Sequence, residues 1–136
     1  MDPIPMLDLA AQHAPLRGEL EAAAGRVLAS NRFISGDEVA ALEHEMAALL
    51  GVRRAVGVSS GTDALLALLM AAGVGPGAEV VTTPFSFFAT VEAIVRLGAR
   101  PVFADVEGDT LNIDSRAAAS RLSRRTRAVV VVHLFG

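Results

Sequence analysis

The residues whose types and spacing could do chemistry are Ser59, Ser60, Gly61 and Thr62. They stand between a small apolar run, residues 55–58, and a nearly unbroken apolar run, residues 64–72. The pattern predicts a buried strand, a tight polar turn and a buried helix. Ser, Gly and Thr are turn and N-cap types. Asp63 falls in the first helical turn, where a carboxylate suits the helix dipole. The first amides of a helix lack intrahelical partners and carry the positive end of that dipole, roughly half an elementary charge. Such an end, set at the carboxyl end of a strand, accepts an anion such as phosphate. Gly61 has no Cβ to hold a phosphate away from the backbone, and Thr62 adds a hydroxyl donor. A plain capped helix that binds nothing has the same spacing, so both readings stand on spacing alone.

Other side chains could join this chemistry. Phe85, Phe87 and Phe88 follow an apolar run, and a phenylalanine in a loop beside an anion site can stack on a planar heteroaromatic ring. Phe85 and Phe88 are expected in the core, and Phe87 is the candidate for stacking. His133 follows an apolar strand and reads as a hydrogen-bonded structural residue. Asp105 ends another strand and reads as a loop cap. No His, Asp and Glu residues fall at metal-ligand spacing, and with no cysteine there is no thiolate site and no disulfide framework. Ser59 and Ser60 have no evident base partner, and no G-x-S-x-G motif occurs, so a nucleophilic serine is not assigned. No catalytic residue and no metal ligand is assigned.

The elements that must position these residues follow from punctuation and period. Residues 1–14 are polar and broken by proline, and read as an extended arm. Residues 15–29 and 37–50 read as amphipathic helices, with Pro15 in the first turn of one and Gly51 stopping the other. Strands are expected at 55–58, 79–83, 101–106 and 128–132, and helices at 64–72, 89–97 and 114–122. This alternation predicts an α/β fold with a largely parallel sheet and ligands at the carboxyl ends of its strands. The 136 residues suit one core. Hydrophobic residues make up 52% and mean hydropathy is +0.47, an excess that fits a sheet covered on both faces. No apolar run reaches the roughly 18 residues of a membrane span. The N-terminus lacks the basic and apolar regions of a signal peptide, and the cytoplasm is the expected location. Net charge is −3, and the arginines near 121–127 read as a solvated helix end rather than a nucleic-acid surface. All twelve Lys and Arg side chains are arginine, so a mechanism that needs lysine cannot run on these residues alone. Gly73-Val74-Gly75-Pro76-Gly77 follows a helix and does not fit G-x-G-x-x-G, which excludes the dinucleotide reading.

Taken in order, the segments form a resemblance. They are residues 5–9, Phe33-Ile34-Ser35-Gly36, residues 55–65, residues 73–80, residues 85–90, residues 98–106, Asn112-Ile113-Asp114 and His133-Leu134-Phe135-Gly136. The set resembles the DegT family of nucleotide-sugar aminotransferases, fold-type I enzymes that use pyridoxal 5'-phosphate (PLP). The resemblance implies the three-layer, mostly parallel sheet of the PLP-dependent transferase large domain, incomplete at its C-terminal side. Residues 1–54 would be an N-terminal arm with helices, and residues 55–136 the first part of the PLP-binding domain. Gly61 and Thr62 match the turn that holds the PLP phosphate, Phe87 matches the aromatic that stacks on the pyridine, and Ser60 is adjacent. The implied reaction moves an amino group from glutamate or glutamine to a keto group on a nucleotide-linked sugar, in a homodimer with its active site between subunits. Thr83 stands where many relatives have proline. In the family, the aspartate at the pyridine nitrogen and the Schiff-base lysine both follow the His-Leu-Phe-Gly segment. The chain is therefore expected to be the N-terminal part of a longer protein, with four of seven strands, an open apolar edge and no transaminase activity by itself. The alternatives are a dehydratase of the same family, with histidine in place of the lysine, and a non-catalytic phosphate-binding remnant.

Overall fold

The computed structural model describes residues 5–136. Two compact units divide the chain, one ending at Gly57 and the other beginning at Val58.

The first unit is helical. Helix α1 spans Leu9–His13, a turn of 3-10 helix spans Ala14–Leu16, and α2 spans Arg17–Ser30. The extended arm expected over residues 1–14 is thus helical from Leu9, and residues 1–4 lie outside the described residues. The cause is Asp8, whose carboxylate accepts the Ala11 N–H at 2.9 Å and caps the helix. Pro15 sits in the 3-10 turn, where its fixed φ is tolerated and its missing N–H costs nothing. Helix α3 spans Asp37–Leu49. Gly51 follows it at φ +65°, a left-handed stop. An exposed ion pair, Arg26 Nε to Glu38 Oε1 at 3.0 Å, joins α2 to α3.

No strand forms at 55–58, contrary to expectation. A strand needs a partner along its edge. Here the Gly57 N–H donates instead to the Glu43 carboxylate of α3 at 2.7 Å, and Val56 is left exposed.

The second unit is a three-layer α/β arrangement. Its elements are α4 Gly61–Ala71, β1 Glu79–Thr82, α5 Ala89–Arg96, β2 Arg100–Phe103, α6 Ser115–Ser120 and β3 Thr126–Val129. The three strands lie in the order β2-β1-β3, all parallel, with Val81 opposite Val102 on one side and Val129 on the other. Every residue of β1 is buried, as a central parallel strand requires. Its alternation divides the core. Val80 joins Leu69, Val74, Ala93, Ile94 and Ala99 on the face covered by α4 and α5. Val81 joins Ala104 and Ala118 on the face covered by α6. The sheet therefore has helices on both faces, as expected, although with three strands rather than four.

Two burial expectations fail. In the apolar helix α4 only Leu69 is buried. Leu65 and Leu69 reach the sheet, whereas Leu68 and Met70 face away from it and are exposed. A helix apolar on all sides suits cover from two directions, and one direction is met by the described residues. Phe85 and Phe88, expected in the core, are also exposed. They belong to the loop beyond β1, past the reach of the helices that cover the strand.

At the amino end of the sheet one carboxylate ties the strands together. Glu79 is 3% exposed. Its Oε1 meets Arg100 at 2.7 Å and Arg125 at 2.6 Å, and its Oε2 accepts the Ser123 hydroxyl at 2.6 Å. The Ser123 hydrogen bond first, then that from Arg100, hold the Glu79 carboxyl below the ordinary glutamate range against the opposing effect of burial. A carboxylate whose pKa is lowered by folding contributes stability that is fully present above its unfolded value, near 4.3, and is lost as pH falls through the folded value. Glu79→Gln is expected to lower the melting temperature at pH 7 and to flatten its decline below about pH 5. Thermal melts of both proteins across pH 3 to 7 check this; parallel curves would refute it.

Candidate functional site

Helix α4 ends in the short loop that feeds β1, so it runs back along the strand and its N-terminus lies toward the carboxyl edge of the sheet. Ser60 is its N-cap. The Ser60 hydroxyl oxygen accepts the Asp63 N–H at 3.1 Å and donates to Asp63 Oδ2 at 2.9 Å. The Ser59 hydroxyl donates to the same oxygen. Two hydroxyl donors and a backbone amide thus lock the turn around Asp63, a variant of the capping box. The Ser59 bond and then the Ser60 bond hold the Asp63 carboxyl below the ordinary range, with Arg96 of α5 adding attraction and burial opposing.

This lock decides which donors remain. The Ala64 N–H is taken by the Ser60 carbonyl at 3.0 Å, and the Asp63 N–H by the Ser60 hydroxyl. The amides of Gly61 and Thr62, and the Thr62 hydroxyl, have no partner among the described residues. A Cβ built on Gly61 would meet no atom within 4 Å, so the space in front of these amides is open. Two free amides at the positive end of a helix, one hydroxyl and no intervening side chain match a phosphate group. The Ser60 hydroxyl is committed to Asp63, so Ser60 shapes the turn. Sequence reading placed Asp63 for its charge and missed its role as the acceptor of both serines. The S-x-x-D spacing is the signal that could have found it.

Phe87 lies in the loop between β1 and α5 and is 73% exposed, its ring uncovered by the core. The loop is ordered locally. The Thr83 hydroxyl oxygen accepts the Phe85 N–H at 3.1 Å, and the Ser86 and Thr90 hydroxyls meet at 3.0 Å. Phe85 packs at a tilt on Phe135, with ring centroids 6.0 Å apart. That contact joins the loop after β1 to the segment after β3. The segment after β3 also carries His133, whose Nδ1 lies 3.0 Å from Asn112 Oδ1 in the loop after β2. Asp105 caps that loop, its carboxylate accepting the Val106 N–H at 2.8 Å. Phe87, Ser60, Gly61 and Thr62 therefore belong to two adjacent features, the loop that opens α5 and the turn that opens α4, on helices that pack on each other. The Asn112–His133 pair has no sequence signature, because 21 residues separate its members.

No helix among the described residues is long and apolar enough to cross a membrane.

Comparison with known proteins gives the chain its relatives. The chain is 44% identical over 133 residues to a UDP-N-acetyl-3-dehydro-alpha-D-glucosamine 3-aminotransferase of Acidithiobacillus ferrooxidans, covering 98% of the chain and 36% of that protein. It is 44% identical over the same length to a protein of Geobacillus stearothermophilus named pleiotropic regulatory protein, again covering 36% of it. Among solved structures, DesV of S. venezuelae in complex with a ketimine intermediate superposes with a TM-score of 0.94 at 39% identity, over 100% of this chain and 37% of DesV. The chain thus spans little more than a third of the length of these relatives. The family these relatives represent uses PLP. Residues 16–136 match the DegT/DnrJ/EryC1/StrS aminotransferase family, and the chain belongs to that family.

Proposed function

We propose that the protein carrying this chain is a PLP-dependent aminotransferase. Its amino donor is glutamate or glutamine, and its acceptor is a nucleotide-linked keto-sugar. The observation that carries the reading is the pair of unpartnered amides at Gly61 and Thr62, in a chain of an aminotransferase family. Those amides and the Thr62 hydroxyl would hold the cofactor phosphate. The Phe87 ring would lie against the pyridine, and Ser60, through Asp63, would keep the turn in shape. When bound, PLP supplies an electron sink, while the protein supplies orientation and electrostatics. Residues 55–136 would form the first part of the PLP-binding domain, in a cytoplasmic homodimer. Relatives named as nucleotide-sugar aminotransferases support the substrate class.

Borohydride reduction after incubation with PLP, followed by mass spectrometry of the intact protein and its peptides, tests this. The expected result is one reduced adduct on a lysine from outside these 136 residues, which contain none. It should be accompanied by transfer of ¹⁵N from glutamate or glutamine to a nucleotide-linked keto-sugar. PLP held without a reducible bond, and without transfer, would overturn the aminotransferase reading.

A further inference from the structure

The chain passes to one side of β1 for β2 and to the other side for β3. Strand order therefore reverses about β1. In open α/β sheets, ligands gather outside the carboxyl ends of strands at such a reversal. Three loops leave that edge, after β1, β2 and β3. Two side-chain contacts tie them together: Phe85 to Phe135 and Asn112 to His133. His133 is exposed.

The Asn112 side-chain oxygen can only accept, so its 3.0 Å contact requires the proton on His133 Nδ1. In the neutral ring, Nε2 then carries a lone pair and has no partner among the described residues. A histidine fixed in one tautomer by its neighbour is a directed acceptor rather than a rotating surface group.

From this juxtaposition we propose that His133 is a ligand-binding residue of the site, its Nε2 accepting a hydrogen bond from a hydroxyl of the bound molecule and its tautomer set by Asn112. The inference rests on the cofactor reading above and extends it to the loop after β3. The hydroxyl belongs either to the cofactor ring or to the sugar.

Nitrogen-15 NMR of the intact protein labelled at histidine tests the proposal, with the His133 signals assigned by their loss in His133→Gln. The expected spectrum shows the Nδ1–H tautomer in the wild type and a mixture in Asn112→Ala. A wild-type Nε2–H tautomer overturns the proposal. PLP is then added to saturation by absorbance, followed by UDP-N-acetylglucosamine. A shift of the Nε2 signal with PLP alone assigns the cofactor hydroxyl; a shift only with the nucleotide sugar assigns the sugar. In either case His133→Ala weakens that ligand about 3- to 10-fold, the size of one hydrogen bond. His133→Gln, which keeps an acceptor near the Nε2 position, restores most of the affinity. PLP saturation with no shift from either ligand overturns the inference and leaves the cofactor reading standing. Failure of the wild type to bind PLP overturns both.

Discussion

Gly61→Asp is expected to weaken PLP binding about 100-fold or more while leaving helix α4 at least as stable as before. The two effects come from the same position. Gly61 is the first residue of α4, and an acidic side chain in the first turn interacts favourably with the helix dipole, by about 0.3–1 kcal/mol. The backbone there does not need glycine, because Gly61 is not among the positive-φ glycines of the described residues, which are Gly51, Gly73, Gly77, Gly98 and Gly136. A Cβ added there meets no atom within 4 Å, so the backbone position has room for a side chain. The ligand does not. A carboxylate about 5 Å from one phosphate charge, at an effective dielectric near 20, costs about 3 kcal/mol. That alone is about two orders of magnitude in affinity. Comparing PLP with pyridoxal, which lacks the phosphate, isolates the effect. The affinity for PLP should collapse toward that for pyridoxal, while the melting temperature of the apoprotein holds or rises. Equal losses for both ligands would mean that the phosphate lies elsewhere.

The same turn shows what was legible in the sequence. Gly61, Thr62 and Ser60 are local. Their types, their order and the apolar run behind them define a capped helix with spare amides, and the structure has such a helix. The parallel sheet and its two covered faces were likewise legible, because β1 is continuously apolar but for its ends and helical segments alternate with strands. What failed depended on partners. Residues 55–58 have strand composition, but the Gly57 amide is taken by Glu43, and no periodicity reveals a side chain 14 residues away. Phe85 and Phe88 look like core by hydrophobicity, and only the place where the helical cover stops decides that they are exposed. Residues 9–13 differ from an extended arm for another reason: Pro15 is the evident helix-start signal, whereas the aspartate that caps the first helix, Asp8, lies further upstream. The Glu79 clamp joins residues from three segments. Its charge pattern appears in sequence only as a glutamate that opens an apolar strand and arginines scattered after it.

The packing that supports the site predicts the second large effect, Ile94→Ala. Ile94 lies in α5 and has no exposed surface. It fills the space between α5, α4 and the sheet together with Leu69, Val74, Val80, Ala93 and Ala99. Two of those neighbours are alanines, which cannot extend into a void, and Val80 is fixed in the central strand by ladders on both sides. Collapse around the missing atoms is therefore limited, and the cost should fall within the range for buried Ile→Ala, about 2–5 kcal/mol. A typical domain has about 5–15 kcal/mol in all, so this is a large share. The neighbouring Val95 is the control: it is 56% exposed, and Val95→Ala should change stability by less than about 1 kcal/mol. Urea unfolding of the intact apoprotein should show a lower midpoint for Ile94→Ala with little change in slope, since the surface exposed on unfolding is nearly the same. Similar midpoints for the two variants would show that the contact between α5 and β1 is not the core of this unit. The loop that carries Phe87 would then be held by something other than the helix it opens.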